Sequence, residues 1–461
     1  MSEIGREVDL LVHDLNVDGG AVARLDGRVY FLDRGLPGET VRAVISGQKK
    51  RVLFGRVLQT LRPSPEAVQP FCPYFGLCGG CALQNLSYPA QLEFKQRRVT
   101  AVLAKIGGLR EIADDLPGIL PSPLLRACRN KMEYAFGIEQ SDSGEELVLG
   151  LRYRASHQVL DIEACPLQSP RSGLILQAVR LWAREGGFSG GCLRHLILRE
   201  PEYLPEDNVP QCSVELICGD KLPPPQAVDE LWQRLAALGV TSFLLGVRRS
   251  AYNLARSERI VKIFGPTTLW EKFGPLLLEL PVTGFAQTNT GAASLLYQRA
   301  AELAAPEYFG RERGGARLWD AYCGSGAMAL YLAPGSASVI GFEQDPESAE
   351  MARANAARLG FDHCSFLAGD AADLLAAGAG TDLPDLLLTD PPRGGMSPKA
   401  LAAIKKCAPR RIIYISCDPA TLARDLTGLT DLYELSGLTL LDMFPHTTHV
   451  ETIARLDLRN K

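Results

Sequence analysis

Beyond Gly310 the chain alternates short apolar runs with stretches of helical spacing, and nearly every run stops at a residue able to do chemistry. Five runs are expected as strands: Arg317–Tyr322, Val339–Glu343, Ser365–Ala368, Leu386–Thr389 and Arg411–Ser416. Near-continuous apolar character suits parallel strands covered on both faces. The alternation therefore predicts an α/β, doubly wound sheet. Tyr433–Met443 and Val450–Asp457, joined by Phe444-Pro-His-Thr-Thr448, predict a terminal hairpin that closes it.

Such sheets bind ligands beyond the carboxyl ends of their strands. Leu318-Trp-Asp-Ala-Tyr-Cys-Gly-Ser-Gly326 reads as a strand, a glycine turn and a helix start, so Gly324 lets backbone approach a ligand closely. Glu343 follows 19 residues after Gly324, at the end of the next strand, where a carboxylate can accept from both ribose hydroxyls. Asp370 ends the third strand within reach of an adenine amine, and Asp390 ends the fourth. The turn lacks the glycine spacing of a dinucleotide fingerprint and the lysine of a phosphate loop. A ligand with adenosine but no pyrophosphate, such as S-adenosylmethionine, fits best.

Tyr414-Ile-Ser-Cys-Asp-Pro419 then sets Cys417 at the mouth of a buried strand, beside that pocket. A thiol there is badly placed for a disulfide and well placed to attack a flat, electrophilic ring. Uracil is inert at C5 until a thiolate adds at C6, which turns C5 into an enolate carbon able to take a methyl group. Cys417 is the candidate nucleophile.

The N-terminal runs Val8–Val12, Ala21–Arg24, Arg28–Phe31, Thr40–Ser46 and Arg51–Leu61, with a hairpin signal at Asp26-Gly27, predict an OB-like β-barrel over residues 1–62. Residues 63–90 carry Cys72, Cys78 and Cys81; with the distant Cys165 they offer four soft ligands, suited to a [4Fe–4S] cluster or to zinc. A mixed α+β central domain is expected over 91–283, with a helix at Ala90–Ile106 and strands at Lys131–Gly137, Leu147–Leu151 and Ser213–Ile217. The catalytic domain is expected over 284–461. No apolar run is long enough to span a membrane and Met1-Ser-Glu-Ile-Gly-Arg does not read as a signal peptide, so a cytoplasmic protein with reduced thiols is expected. The net charge of −4 gives no general attraction for nucleic acid, so any such contact must come from local patches.

At these motifs the chain resembles the bacterial RNA 5-methyluridine methyltransferases, especially the iron–sulfur branch acting on 23S ribosomal RNA. Ser416–Pro419 matches the family's Ser-Cys-Asn/Asp-Pro motif and His449-Val-Glu451 its His-Val-Glu motif, which implies Glu451 as the base that removes the C5 proton. The resemblance implies a Rossmann-like S-adenosylmethionine-dependent methyltransferase domain with donor contacts from Gln287, Tyr322, Glu343 and Asp390. It also implies a TRAM barrel and a [4Fe–4S] cluster on Cys72, Cys78, Cys81 and Cys165, with zinc as the alternative. Ala327 departs from the family's usual Asn or Thr after the Gly-x-Gly turn.

The expected substrate is single-stranded or loop RNA with the uridine turned out of its stack. Lys49, Lys50, Arg51, Lys95, Arg97, Arg98, Arg126, Arg129 and Lys131 are candidate phosphate contacts, and no obligate protein partner is implied. Three other readings compete: a transfer-RNA uracil-C5 methyltransferase, an RNA 5-methylcytosine methyltransferase and a non-catalytic iron–sulfur RNA-binding assembly factor. Pro391-Pro392 stands where the cytosine enzymes carry Pro-Cys, and Arg393 stands where amino-methyltransferases carry a stacking aromatic.

Overall fold

The computed structural model describes residues 3–106, 116–141, 144–188, 191–202, 210–250, 255–305, 315–378 and 383–459. Strands β1 (Glu7–Leu15), β2 (Ala21–Leu25), β3 (Arg28–Leu32), β4 (Thr40–Lys49) and β5 (Val52–Arg62) close into a barrel in the order β1-β2-β3-β5-β4. Asp26 and Gly27, both at positive φ, make the tight turn between β2 and β3. Leu10, Val12, Val41, Ile45 and Leu53 alternate inward to fill the barrel.

Helix α1 (Tyr88–Ile106) follows the cysteine-rich segment. It lies in the stretch assigned to the central region, yet Val99 and Leu103 pack into the core of the C-terminal sheet. The central region contains a seven-stranded sheet ordered β12-β11-β10-β9-β6-β7-β8. Its strands are β6 (Lys131–Ser141), β7 (Gly144–Arg152), β8 (Val159–Asp161), β9 (Leu193–Arg199), β10 (Ser213–Cys218), β11 (Ser242–Val247) and β12 (Arg259–Phe264). Helices α2 (Pro170–Glu185) and α3 (Pro225–Ala237) cover one face, burying Met132, Tyr134, Leu196 and Leu198. A hairpin of β13 (Thr268–Phe273) and β14 (Leu276–Pro281) leads to α4 (Thr290–Ala304).

The C-terminal sheet is the expected doubly wound one, ordered β17-β16-β15-β18-β19-β21-β20. It is built from β15 (Ala316–Ala321), β16 (Ser336–Glu343), β17 (Cys364–Ala368), β18 (Leu386–Thr389), β19 (Arg411–Ser416), β20 (Tyr433–Leu441) and β21 (Glu451–Leu458). The first five are parallel neighbours and the last two form the antiparallel closure. Every residue of β18 and β19 is buried, as strands sandwiched by helices should be. β17 is different: it is the sheet edge, and only Phe366 of its apolar residues is buried.

The β20–β21 connection is clamped from three sides. Ala82 and Leu83, just past Cys81, donate both backbone N–H groups to the His446 carbonyl at 2.8 and 2.9 Å. From α1, Gln91 Oε1 accepts the His446 N–H and Arg98 donates to the Thr448 carbonyl. From the barrel, the Val17 carbonyl accepts the Thr448 hydroxyl at 2.7 Å.

Candidate active site

At the carboxyl ends of β15 and β18 lies a cleft lined by side chains from both strand ends and from the glycine turn. Gln287, Tyr322, Gly324 and Asp390, expected as cofactor contacts, all line it. Tyr322, Gly324 and Gly326 have positive φ, which turns the chain sharply from β15 into α5 (Ala327–Leu332) and brings backbone to the cleft wall. Glu343 sits beside that wall, with Oε2 accepting the Gly324 N–H at 2.8 Å and Oε1 the Asp345 N–H at 2.8 Å. These bonds fix the carboxylate at the turn. Asp370 is not in the wall. It is exposed, and its Oδ1 accepts the Ala372 and Asp373 amides at the start of α7 (Ala371–Gly378), so capping takes up one of the two oxygens expected to reach adenine.

Two groups escaped the sequence reading. Asp320 is 2% exposed and Ser325 is also buried; both line the cleft, and Asp320 Oδ2 and Ser325 Oγ have no hydrogen-bond partner. Unpaired buried polar atoms are costly, so they are expected to meet a ligand. Burial, reinforced by Asp390, pushes the Asp320 carboxyl up to about 8. Asp390 keeps some surface, open to the cleft, and burial pushes its carboxyl up to about 7. Carboxyls poised in this way favour a cationic ligand, which restores their charge. The sulfonium and ammonium of S-adenosylmethionine meet that requirement. Asp320 was readable in principle, because it is a carboxylate inside an otherwise apolar strand that leads into the glycine turn.

Cys417 follows the last residue of β19. Asp418 caps α9 (Pro419–Thr427) by accepting the Ala420 and Thr421 amides, and Pro419 opens the helix, so the thiol is held at a strand-to-helix turn. It is half-buried rather than walled in, and it is not in a disulfide. The β19–β21 ladder pairs Ser416 with Thr452, which puts Glu451 across from Cys417 at the sheet end. Glu451 is 4% exposed, and burial with the nearby Asp390 pushes its carboxyl up to about 8 while Arg393 opposes. The Cys417 thiol is pushed up to about 11 by burial and then by Glu451, with Arg393 again opposing. His449 is driven down to about 4 by burial and by Arg393 and Arg98, so its imidazole is neutral.

Cys72, Cys78, Cys81 and Cys165 converge on one partly open pocket, with Arg129 and Tyr74 in its wall. Burial pushes the Cys81 thiol up to about 12 and raises those of Cys78 and Cys165. The Gly80 N–H donates to Cys78 Sγ at 3.3 Å. Among the described residues, no three Cys, His, Asp or Glu side chains are close enough to hold one metal ion. Of the cations proposed for phosphate, Lys95 is excluded: its side chain is fully buried against Asp442. Arg126 lies over the Phe71 ring, and Lys49, Lys50 and Arg51 are exposed at the β4–β5 turn.

Residues 283–458 match the family profile described as tRNA (Uracil-5-)-methyltransferase, and residues 1–58 match that of the TRAM domain. The chain is 40% identical to an uncharacterized RNA methyltransferase of Nitratidesulfovibrio vulgaris, over 98% of this chain and 96% of the relative. It belongs to the RNA uracil-5-methyltransferase family. A second RNA methyltransferase, from Halalkalibacterium halodurans, is 34% identical over 98% of this chain and 97% of its own length. Among solved structures, the Pyrococcus abyssi tRNA (uracil-54, C5)-methyltransferase bound to S-adenosyl-L-homocysteine superimposes with a TM-score of 0.74 at 25% identity. The match covers 97% of this chain and all of that one. The chain is thus an S-adenosylmethionine-dependent RNA methyltransferase with an N-terminal TRAM barrel. Because the archaeal tRNA enzyme matches along its whole length, the barrel and middle region do not by themselves separate ribosomal from transfer RNA as substrate.

Proposed function

We propose that this methyltransferase modifies C5 of a uridine in 23S ribosomal RNA, through a covalent bond between Cys417 and C6 of the base. The observation that carries the reading is the half-open thiol of Cys417 facing buried Glu451 at the sheet end, next to the cleft lined by Asp390 and Ile415. In this reading the Cys417 proton passes to solvent before attack, aided by the positive field of Arg393, and the thiolate adds to C6. S-adenosylmethionine, when bound in the cleft, would supply an electrophilic methyl group to the C5 enolate and leave as S-adenosylhomocysteine. Glu451 as carboxylate then takes the C5 proton, and the electrons of that bond expel the thiolate from C6. Gln287, Tyr322, Gly324, Glu343 and Asp390 would hold the donor, joined by Asp320 and Ser325.

The four convergent cysteines suit a [4Fe–4S] cluster. Zinc held in a tetrahedron by the same four thiolates is the alternative. When bound, the cluster would hold the thiols as thiolates and join the cysteine segment to the central sheet. Transfer RNA is the second reading for substrate, favoured by the whole-length likeness to the archaeal enzyme. We place the protein in the cytoplasm, with these thiols reduced.

RNA carrying 5-fluorouridine tests the chemistry, because fluorine cannot leave as a cation and the adduct should persist. Wild type should form a denaturation-resistant RNA–protein complex in the presence of the donor, and Cys417→Ala should not. Methylation by Cys417→Ala would refute the covalent route. Mapping of lost methyl groups on ribosomal and transfer RNA from a deletion strain separates the two substrates.

A further inference from the structure

From Pro281, the last residue of β14, to Thr290, the first of α4, the chain passes from the central region into the catalytic domain, and two buried side chains of the central sheet grip its carbonyl oxygens in sequence. Arg199, 1% exposed at the end of β9, donates through Nη1 to the Pro281 carbonyl at 3.0 Å and to the Gly284 carbonyl at 3.2 Å. Asn130, buried one residue before β6, donates through its carboxamide to the Gln287 carbonyl at 3.1 Å and through its backbone N–H to the Thr288 carbonyl at 2.8 Å. The two stand side by side, because the β6–β9 ladder pairs Lys131 with Arg199 and Glu200 donates its N–H to the Asn130 carbonyl at 2.7 Å.

Everything that Asn130 Nδ2 meets is an acceptor. Besides the Gln287 carbonyl it reaches Glu271 Oε2 at 3.1 Å and Thr290 Oγ1 at 2.9 Å, so two hydrogens are shared among three oxygens. Glu271 is itself fully buried on β13, with Oε1 accepting the Glu202 N–H at 3.3 Å. The far end of the stretch is fixed separately. Asn289 caps α4 by accepting the Ala292 N–H at 3.1 Å, and its Nδ2 donates to the Met443 carbonyl at 2.9 Å and to Ser122 Oγ at 3.1 Å. Gln287 thus sits between two anchors.

The grip is a costly one. Asn130 Oδ1 and Arg199 Nη2 are buried with no hydrogen-bond partner among the described residues, and burial drives the Arg199 guanidinium down to about 10 while Glu271 opposes. What it fixes is location. Phe285, Ala286 and Gln287 line the cofactor cleft, whereas Asn130 and Arg199 do not. A shift of the Gln287 carbonyl would carry its side chain along the cleft wall, and a site loosened by one ångström loses affinity without losing any of its groups.

We propose that Asn130 is a positioning residue for the methyl donor, acting through the Gln287 carbonyl to set where Gln287 meets the cleft. The proposal rests on the reading of Gln287 as a contact for S-adenosylmethionine. The central region then serves the cofactor site directly, by a single carboxamide reaching across to the catalytic domain.

The test is calorimetric binding of S-adenosylmethionine to the full-length protein. Asn130→Asp with Glu271→Gln keeps an amide facing a carboxylate in the core, but a carboxylate at position 130 cannot donate to the Gln287 carbonyl. Affinity for S-adenosylmethionine should fall roughly tenfold in this swap, and by a similar factor in Gln287→Ala. Glu271→Gln alone leaves the bond from Asn130 to Gln287 in place and should change affinity by less than about twofold. The three changes together decide the matter: an effect that passes through Gln287 is already spent in Gln287→Ala, so the triple variant should bind within about twofold of Gln287→Ala. A triple variant weakened by the product of the two effects, about a hundredfold, would overturn the proposal, because Asn130 would then act independently of Gln287. A swap that binds like wild type beside a weakened Gln287→Ala would overturn it as well. Wild-type affinity in Gln287→Ala would instead remove the contact of Gln287 with S-adenosylmethionine, and the proposal with it. Where the swap lowers the folded fraction seen by circular dichroism, Asn130→Ser, uncharged and without the carboxamide, carries the same comparison.

Discussion

Lys95→Met should loosen the active-site loop through a contact outside the lining of the cleft. The Lys95 and Asp442 side chains are both fully buried, 2.5 Å apart, with Lys95 Nζ also donating to the Phe444 carbonyl at 3.0 Å. Asp442 Oδ2 accepts the Tyr88 hydroxyl at 2.9 Å. Burial drives the Lys95 ammonium downward while Asp442 holds it charged, so each ion depends on the other. Removing the cation alone strands a carboxylate in a fully buried site, at a cost of about 3–5 kcal/mol. Lys95→Met with Asp442→Leu removes both charges and should cost less than Lys95→Met alone, because the unpaired ion is gone. Hydrogen exchange of the amides from Asp442 to Val450 is the assay, since it reads the local opening free energy in a protein of several domains. The single variant should also lose turnover, because this loop leads directly into Glu451 on β21. A single-variant cost below about 1 kcal/mol, or a double variant equal to the sum of its parts, would refute the argument.

Three further outcomes follow from the site. Glu451→Gln should still form the covalent adduct but release it slowly, lowering turnover by roughly 10²–10⁴-fold; rapid release seen by gel would count against Glu451 as the base. Asp320, Asp390 and Glu451 sit at about 8, 7 and 8, above ordinary carboxyls, so between the unfolded value and about 8 the folded protein holds more protons than the unfolded one. Stability without ligand should therefore fall as pH rises through that window. Binding of the cationic donor should release protons near pH 7 and tighten with pH, and calorimetry in buffers of different ionisation enthalpy checks both. Ala327, in the cleft wall at the first turn of α5, should gain a hydrogen bond to the donor when replaced by Asn. One such bond is worth roughly 1 kcal/mol, so KM for S-adenosylmethionine should drop about fivefold, read from initial rates.

Much of the catalytic domain was legible because its strands are extreme cases. Leu386–Thr389 and Arg411–Ser416 are buried on both faces, so they read as unbroken apolar strings, and capping residues such as Asp418 announce the helices that follow. The barrel was legible through Asp26-Gly27, whose positive φ values are what that turn demands. The central sheet was not. Three of its seven strands were expected, because its order mixes parallel β10–β11 with antiparallel pairs from remote segments, and local spacing carries no trace of that order. Lys95 on a helix surface reads as a solvated cation; its partner lies 347 residues away.

The chain's own order of residues determined which chemical groups stand at strand ends: Gly324, Glu343, Asp390, Cys417 and the base candidate Glu451. Tertiary structure decided what those groups can do. Burial made by distant packing holds Asp320 and Glu451 near neutrality and brings Cys165 to the other three cysteines. Proton affinity and enclosure depend on everything within a few ångströms in space, and neighbours in space are only partly neighbours in sequence.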